Sequence, residues 1–116
     1  MVQATSRIVC EHIDQIQLRL GVSDEELASA LGVASGVVAL WKHHHEMPER
    51  AVRQRLEALA ALDRHLHDLF KPGAVTRWLR TRPRNLGGKT PVEVIANGEF
   101  NRIEGLLTIV DHGMFA

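Results

Sequence analysis

The feature that most constrains the fold is an apolar repeat in the middle of the chain. Between positions 52 and 70, hydrophobic side chains recur about every 3.5 residues, a spacing that lines one face of an α-helix. Pro48 precedes the repeat, and proline is favoured in the first turn of a helix. We therefore expect a helix over residues 49–70 with one face in the core. The side chains of that face are Val52, Leu56, Leu59, Leu62, Leu66, Leu69 and Phe70.

Capping signals place further helices on both sides of this repeat. Ser23 is followed three residues later by Glu26, and Thr90 by Glu93, a spacing that lets each pair satisfy two backbone N–H groups at a helix start. Gly32 is expected to end the helix that starts after Ser23. No segment alternates with the period of two that is typical of a strand. The sequence therefore predicts an all-α fold.

Pro72 and Gly73 mark the clearest boundary, because this pair ends the long helix. We expect residues 1–70 to form an N-terminal helical region that includes the long connecting helix. Residues 71–116 are expected to form a small C-terminal helical module. A chain of 116 residues is short enough for the two parts to share one core.

The net charge of zero conceals two opposed segments. Residues 1–46 carry three basic and six acidic side chains, whereas residues 71–92 carry six basic side chains and no acid. The two halves are therefore expected to face different partners. The basic side chains of the second segment are Lys71, Arg77, Arg80, Arg82, Arg84 and Lys89.

Composition excludes several classes of protein. The single cysteine, Cys10, cannot form an intramolecular disulfide or a cysteine-rich zinc site, and this usage fits a reducing cytosol. The sequence lacks an apolar run near the ~20 residues that a membrane span needs. We therefore expect a cytoplasmic protein without a membrane anchor.

Residues 22–42 have the layout of a helix-turn-helix and resemble the Xre or Cro type. Ala28 permits close approach of two helices, Gly32 suits a turn with positive φ, and Val33 fills the corner. The outward positions of the second helix would face DNA, yet they lack arginine and asparagine, the side chains that pair bidentately with base edges. A helix pair that serves packing or homodimerisation, through Val37 and Leu40, is the alternative. The candidate DNA-contacting residues are Ser35, Gly36, Val37, Ala39 and Lys42.

The remaining motifs do not indicate a catalytic site. The run from His43 to His45 places consecutive side chains about 100° apart on a helix, which does not suit a metal ion. The run from Gly88 to Thr90 resembles the end of a phosphate-binding loop but lacks its earlier glycine and its strand. Cys10 lies beside apolar residues and is expected to be a buried, inert thiol. We therefore predict a protein that is not an enzyme.

The C-terminal half is similar to the toxin-binding domain of the Xre/MbcA/ParS antitoxin family. The resemblance is carried by Trp78, Leu79, Pro83, the stretch LGGKTPVEVIANGEF over residues 86–100, and Gly113. It implies an antitoxin of a type II toxin–antitoxin pair, without a cofactor of its own. The implied partner is a RES-domain toxin that consumes NAD, blocked by direct contact at its NAD cleft. The first half would then carry operator binding and dimerisation.

Two elements of this half fit a protein interface on physical grounds. Arginine pairs well with carboxylates, and a basic loop accelerates encounter with an acidic surface. The C-terminal tail is small enough at its tip to enter a cleft, with Phe115 as an apolar anchor. The alternatives are a solvated or phosphate-contacting loop, and a tail that frays or caps the protein's own core. The candidate toxin-binding residues are Arg80, Arg82, Arg84, Gly87, Gly88, Lys89, Met114, Phe115 and Ala116.

The competing hypothesis is a stand-alone transcriptional regulator. It would act through the helix-turn-helix and use the C-terminal half as a dimerisation or sensor module.

Overall fold

The computed structural model describes residues 2–44 and 46–111, and this part of the chain is helical without a strand. The predicted all-α class is confirmed. A single 3-10 turn, Arg84–Leu86, lies in the loop that joins the fifth and sixth helices. The α-helices are α1 (Val2–Leu20), α2 (Asp24–Leu31), α3 (Ser35–His44), α4 (Arg50–Leu69), α5 (Pro72–Leu79), α6 (Pro91–Ala96) and α7 (Phe100–Asp111).

Local sequence explains where the helices begin and end. Both predicted capping boxes are present: the hydroxyls of Ser23 and Thr90 accept from the amides of Glu26 and Glu93, whose carboxylates bind the cap amides. Gly32 ends α2 with a φ of 74°, a left-handed conformation that glycine adopts without steric cost.

Helices α2 and α3 pack against each other. Ala28 is buried between neighbouring helices, and Val33 packs partly against the core at the corner. Val38 and Trp41 of α3 are buried in the core. Ser35 is the first residue of α3.

Helix α4 is the centre of the molecule. Its predicted apolar face lies in the core, with the four leucines from Leu56 to Leu66 buried and Val52, Leu69 and Phe70 packed against them. Asp63 is also buried in α4, where its carboxylate accepts from Arg19 of α1 at 2.7 Å.

The N-terminal and C-terminal parts share one hydrophobic core. Helix α4 packs against α7 and α5, α2 against α6, and α1 against α5, so the packing crosses the boundary at residues 70–71. The hydroxyl of Ser29 in α2 also donates to the carbonyl oxygen of Ala96 in α6 at 2.7 Å. The break at Pro72 is therefore a tight turn between two packed helices.

Across the described residues, no helix is both long and apolar enough to cross a membrane.

Candidate functional site

The basic side chains of residues 71–92 lie at the start of α5, within it and on the loop that joins it to α6. We call residues 82–89 of that loop the basic loop. Leu86 anchors its middle in the core, and the Thr90 capping box fixes its end. The other side chains of this loop are wholly or partly exposed, so the loop is a surface feature that is anchored at Leu86 and Thr90.

Arg80 is bound within the protein itself. Its guanidinium donates to both oxygens of the Glu26 carboxylate, at 2.7 and 3.0 Å, and to the carbonyl oxygen of Gly21 at 2.7 Å. The hydrogen bonds from Arg80 lower the pKa of the Glu26 carboxyl, and Glu26 in turn raises the pKa of Arg80. Arg80 was predicted to contact a partner, but the structure gives it three internal bonds between α5 and the start of α2.

Arg82 is also occupied within the protein. Its Nη1 donates to the carbonyl oxygen of Gly88, six residues further along, and lies 3.8 Å from Oε1 of Glu93. Hydrogen bonds from the Thr90 amide and hydroxyl lower the pKa of the Glu93 carboxyl, with a smaller electrostatic contribution from Arg82. Arg82 therefore closes the basic loop on itself.

Arg84 and Lys89 differ from these two arginines. Both side chains are exposed, and neither has a hydrogen bond or ion pair with another of the described residues. Both charges are exposed to a partner, and Lys89 also makes a small electrostatic contribution to the lowered pKa of the Glu93 carboxyl.

Gly87 and Gly88 turn the chain between these two cations. Their φ angles are 62° and 83°, and no atom lies within 4 Å of the position that a Cβ would occupy on either residue. Both positions thus require glycine for their backbone conformation, and the space around them is open. Open space also agrees with the expectation that another chain can approach here closely.

A shallow groove of about 250 Å³ adjoins the basic loop. It runs from Asn85 and Leu86 to the last turns of α7, where Ile109 is a large exposed apolar side chain. The sequence alone did not indicate this groove, because it forms only where α7 packs beside the loop. Its lining residues are Asn85, Leu86, Arg102, Leu106 and Ile109.

The predicted tail residues Met114, Phe115 and Ala116 lie outside the described residues. Helix α7 is described to Asp111, and its Ile109 lines the groove.

The candidate DNA-contacting residues of α3 differ in how far they are exposed to solvent. Ser35 and Gly36 are exposed, and Ala39 is half-buried. Val37 was expected to face outward, but it is half-buried and packs against the hydrophobic core.

Lys42, the cation of this set, is held within the protein. Its Nζ lies 3.0 Å from Asp24, 3.7 Å from Asp14, and donates to Gln17 at 3.0 Å. The hydrogen bonds from Gln17 and Lys42 lower the pKa of the Asp24 carboxyl. The surface of α3 near Lys42 is thus neutralised by acids of α1 and α2.

The alternative chemical sites find no support in the described residues. None of the His, Cys, Asp and Glu side chains there form a group of three that could hold a metal ion, and His45 lies outside the described part. Burial raises the pKa of the Cys10 thiol, whose Sγ donates to the Trp41 carbonyl oxygen at 2.8 Å, as expected of an inert cysteine. Thr90, the last residue of the phosphate-loop resemblance, serves as the cap of α6.

Comparison with known proteins finds relatives of one kind. The mycobacterial cidal antitoxin MbcA of Mycobacterium tuberculosis and of Mycobacterium bovis is 27% identical over 97 residues, which cover 84% of this chain and 86% of the relative. A protein of Mycobacterium tuberculosis named as a probable mycobacterial cidal antitoxin is 30% identical over 83 residues, covering 72% of this chain and 70% of that protein. A comparison with protein-family models finds no match.

A solved structure has the same fold. A chain in the crystal structure of the Mycobacterium tuberculosis MbcT–MbcA toxin–antitoxin complex superposes with a TM-score of 0.70 at 24% identity. The superposition covers 94% of this chain and 98% of that chain, so the likeness extends over the whole helical architecture.

The fold and the relatives together define a small helical antitoxin, a class of protein that is not enzymatic. More particularly, the chain belongs to the mycobacterial cidal antitoxin family.

Proposed function

We propose that this antitoxin neutralises a cognate toxin by direct binding that masks the toxin's active site. The observation that carries the proposal is the pair of unpaired cations, Arg84 and Lys89, on a loop that the core holds in place. Exposed charges of one sign accelerate encounter with a surface of opposite sign and select against wrong partners. The expected toxin surface is therefore acidic.

The groove beside the basic loop extends this surface. Its apolar wall at Ile109 suits an apolar side chain of the partner. Arg102 at its edge already pairs with Glu99 of its own chain at 3.4 Å. Loop and groove meet at Asn85, so they form one continuous face. In this proposal residues 71–116 are the toxin-binding module.

The tail adds the masking step. Met114, Phe115 and Ala116 are proposed to enter the toxin's cleft with Phe115 as the anchor. The family resemblance supports a RES-domain toxin that consumes NAD as the partner. The antitoxin itself needs no cofactor for this role.

Residues 1–70 are proposed to provide homodimerisation and a contribution to operator binding in the cytoplasm. Leu40 of α3 is 46% exposed and Leu18 of α1 is 83% exposed, and both are large apolar side chains that a second copy could cover. Val37 contributes less to such a contact, because it already packs against its own core.

Operator binding is the second candidate function, and the packing of α2 on α3 favours it. The ion pairs of Lys42 with Asp24 and Asp14 count against strong DNA affinity, since phosphate contacts depend on available cations. An electrophoretic shift assay on the upstream region of its own gene, at low salt, tests this role. The absence of a shift at high micromolar protein would remove it.

The test of toxin neutralisation is growth rescue. The toxin encoded in the adjoining open reading frame is induced alone, with the antitoxin, or with an antitoxin that lacks residues 113–116. We expect rescue by the full chain and its loss on truncation. Ile109→Asp should weaken rescue, whereas Ala61→Asp, at an exposed position of α4 outside the proposed contacts, should not. Unchanged rescue by the truncated chain would exclude masking by the tail. Failure of the untruncated chain to rescue growth would exclude toxin neutralisation.

A further inference from the structure

The four cations of the segment from Arg80 to Lys89 do not have equivalent roles. The side chains of Arg80 and Arg82 hydrogen-bond to groups of their own chain, whereas those of Arg84 and Lys89 form no hydrogen bond or ion pair with the described residues. Arg82 is the informative member, because its partner is the backbone of the proposed binding loop itself.

The part of the loop after Leu86 has little packing to hold it. Gly87 and Gly88 have no side chains, and nothing surrounds their Cβ positions within 4 Å. Glycine also loses more conformational entropy on ordering than other residues do, so this stretch is costly to fix. Two contacts hold it in the described structure: the Lys89 amide donates to the Leu86 carbonyl oxygen at 3.2 Å, and Arg82 donates to the Gly88 carbonyl oxygen.

Arg82 is suited to this task by its position and its shape. It stands at the first position of the loop, and its guanidinium reaches the last glycine and lies 3.8 Å from Glu93 in α6. A planar guanidinium with several N–H donors can hold a carbonyl and a carboxylate in a fixed relation. The loop is thereby tied at both ends to the start of α6.

We propose that Arg82 is a positioning residue that holds residues 87–89 in the conformation the toxin binds, while Arg84 and Lys89 make the charged contacts. This inference rests on the proposed function. A loop that is ordered before binding loses less entropy on association, and affinity rises accordingly. Arg82 thus acts on affinity through the shape of the loop, not through pairing with the acidic surface of the toxin.

The experiment compares three substitutions that each remove one positive charge: Arg82→Gln, Arg84→Gln and, as the matched control on α5, Arg77→Gln. Backbone amide exchange at Gly88 and Lys89 is measured in the free antitoxin. Rates of association and dissociation are measured with the toxin of the adjoining open reading frame at several salt concentrations. Exchange at Ile95 in α6 and the thermal midpoint report whether each variant is folded.

For Arg82→Gln we expect exchange at Lys89 to rise about tenfold and affinity to fall about tenfold, the usual scale for one charge-assisted hydrogen bond. The salt dependence of association should remain that of the wild type. Arg84→Gln should leave exchange unchanged, slow association and flatten its salt dependence. Arg77→Gln should change none of these.

Unchanged amide exchange in Arg82→Gln would overturn the proposal, as would faster exchange with unchanged affinity. Loss of salt dependence equal to that of Arg84→Gln would make Arg82 a direct contact. If the wild-type chain does not bind the toxin, the proposed function fails, and the exchange rates still decide whether Arg82 orders the loop.

Discussion

The guanidinium of Arg80 meets the carboxylate of Glu26 in a two-point contact, with Nη1 2.7 Å from Oε2 and Nη2 3.0 Å from Oε1. Glu26 also accepts from the Ser23 amide in the capping box of α2. One carboxylate therefore caps the start of a helix in the N-terminal region and binds Arg80, the residue that follows α5. The two halves of the chain are joined here by charge as well as by the shared core.

A double-mutant cycle with Glu26→Gln and Arg80→Gln measures this contact. Glutamine keeps an acceptor for the capping box but removes the charge. We expect a coupling free energy of about 1 kcal/mol, because the pair is bidentate but Arg80 is half exposed to solvent. Chemical denaturation of the four proteins gives the value. Additive effects would show that the contact contributes nothing to stability.

Acid should destabilise the protein through the same carboxylate. The pKa of Glu26 is lowered in the folded state, chiefly by Arg80, so the folded form binds its proton less readily than the unfolded form. The stabilisation that this shift provides is fully present above the ordinary glutamate pKa of about 4.3. It is lost as the pH falls through the lower pKa that Glu26 has in the folded state. Denaturation between pH 7 and 3 should show a shallower loss for Glu26→Gln than for the wild type. Parallel curves for the two proteins would contradict the assignment.

The shared core predicts one cooperative unfolding transition. Trp41 lies buried in α3, and Trp78 of α5 stacks on Phe70 with ring centroids 5.5 Å apart, so each half carries its own fluorescent reporter. The variants Trp41→Phe and Trp78→Phe isolate the two signals. In each variant, the fluorescence of the remaining tryptophan and the far-ultraviolet circular dichroism should change at the same denaturant concentration. Separate midpoints within one variant would show that residues 1–70 and 71–116 unfold independently.

Two glycines should respond to alanine in opposite directions. Gly105 lies inside α7 with open space around its Cβ position, so Gly105→Ala should stabilise the fold by about 1 kcal/mol. Gly88 has a φ of 83°, and Gly88→Ala should cost about 1 kcal/mol because that conformation is strained for alanine. Thermal unfolding of both variants measures the difference. Equal effects would mean that the loop relaxes to another conformation.

Local signals explain how much of the fold the sequence could predict. The capping boxes at Ser23 and Thr90 and the apolar face of α4 depend on neighbours within one or two turns, and all three are present. The pairing of Arg80 with Glu26 joins residues 54 positions apart, and nothing in either local pattern indicates it.

The candidate site was predictable as a basic segment but not in its detail. Which cations are free depends on what each side chain reaches after folding, as the ion pairs of Lys42 and the loop contact of Arg82 show. The groove depends on how α7 packs beside Leu86, which leaves Ile109 exposed. Periodicity predicts which face of a helix is buried, but it does not predict how far the residues beside that face are exposed.

The affinity of the full-length chain for the toxin of the adjoining open reading frame, measured by calorimetry, tests the central claim most directly. The comparison is between the wild type, Arg84→Glu with Lys89→Glu, and Arg77→Glu with Lys71→Glu as the control of equal charge change. We expect tight binding by the wild type and the control, and binding at least about a hundredfold weaker for the loop variant, since each reversed contact costs roughly 1.4 kcal/mol or more. Equal affinities for the two double variants, or no binding by the wild type, would contradict the assignment of the basic loop as the toxin-binding surface.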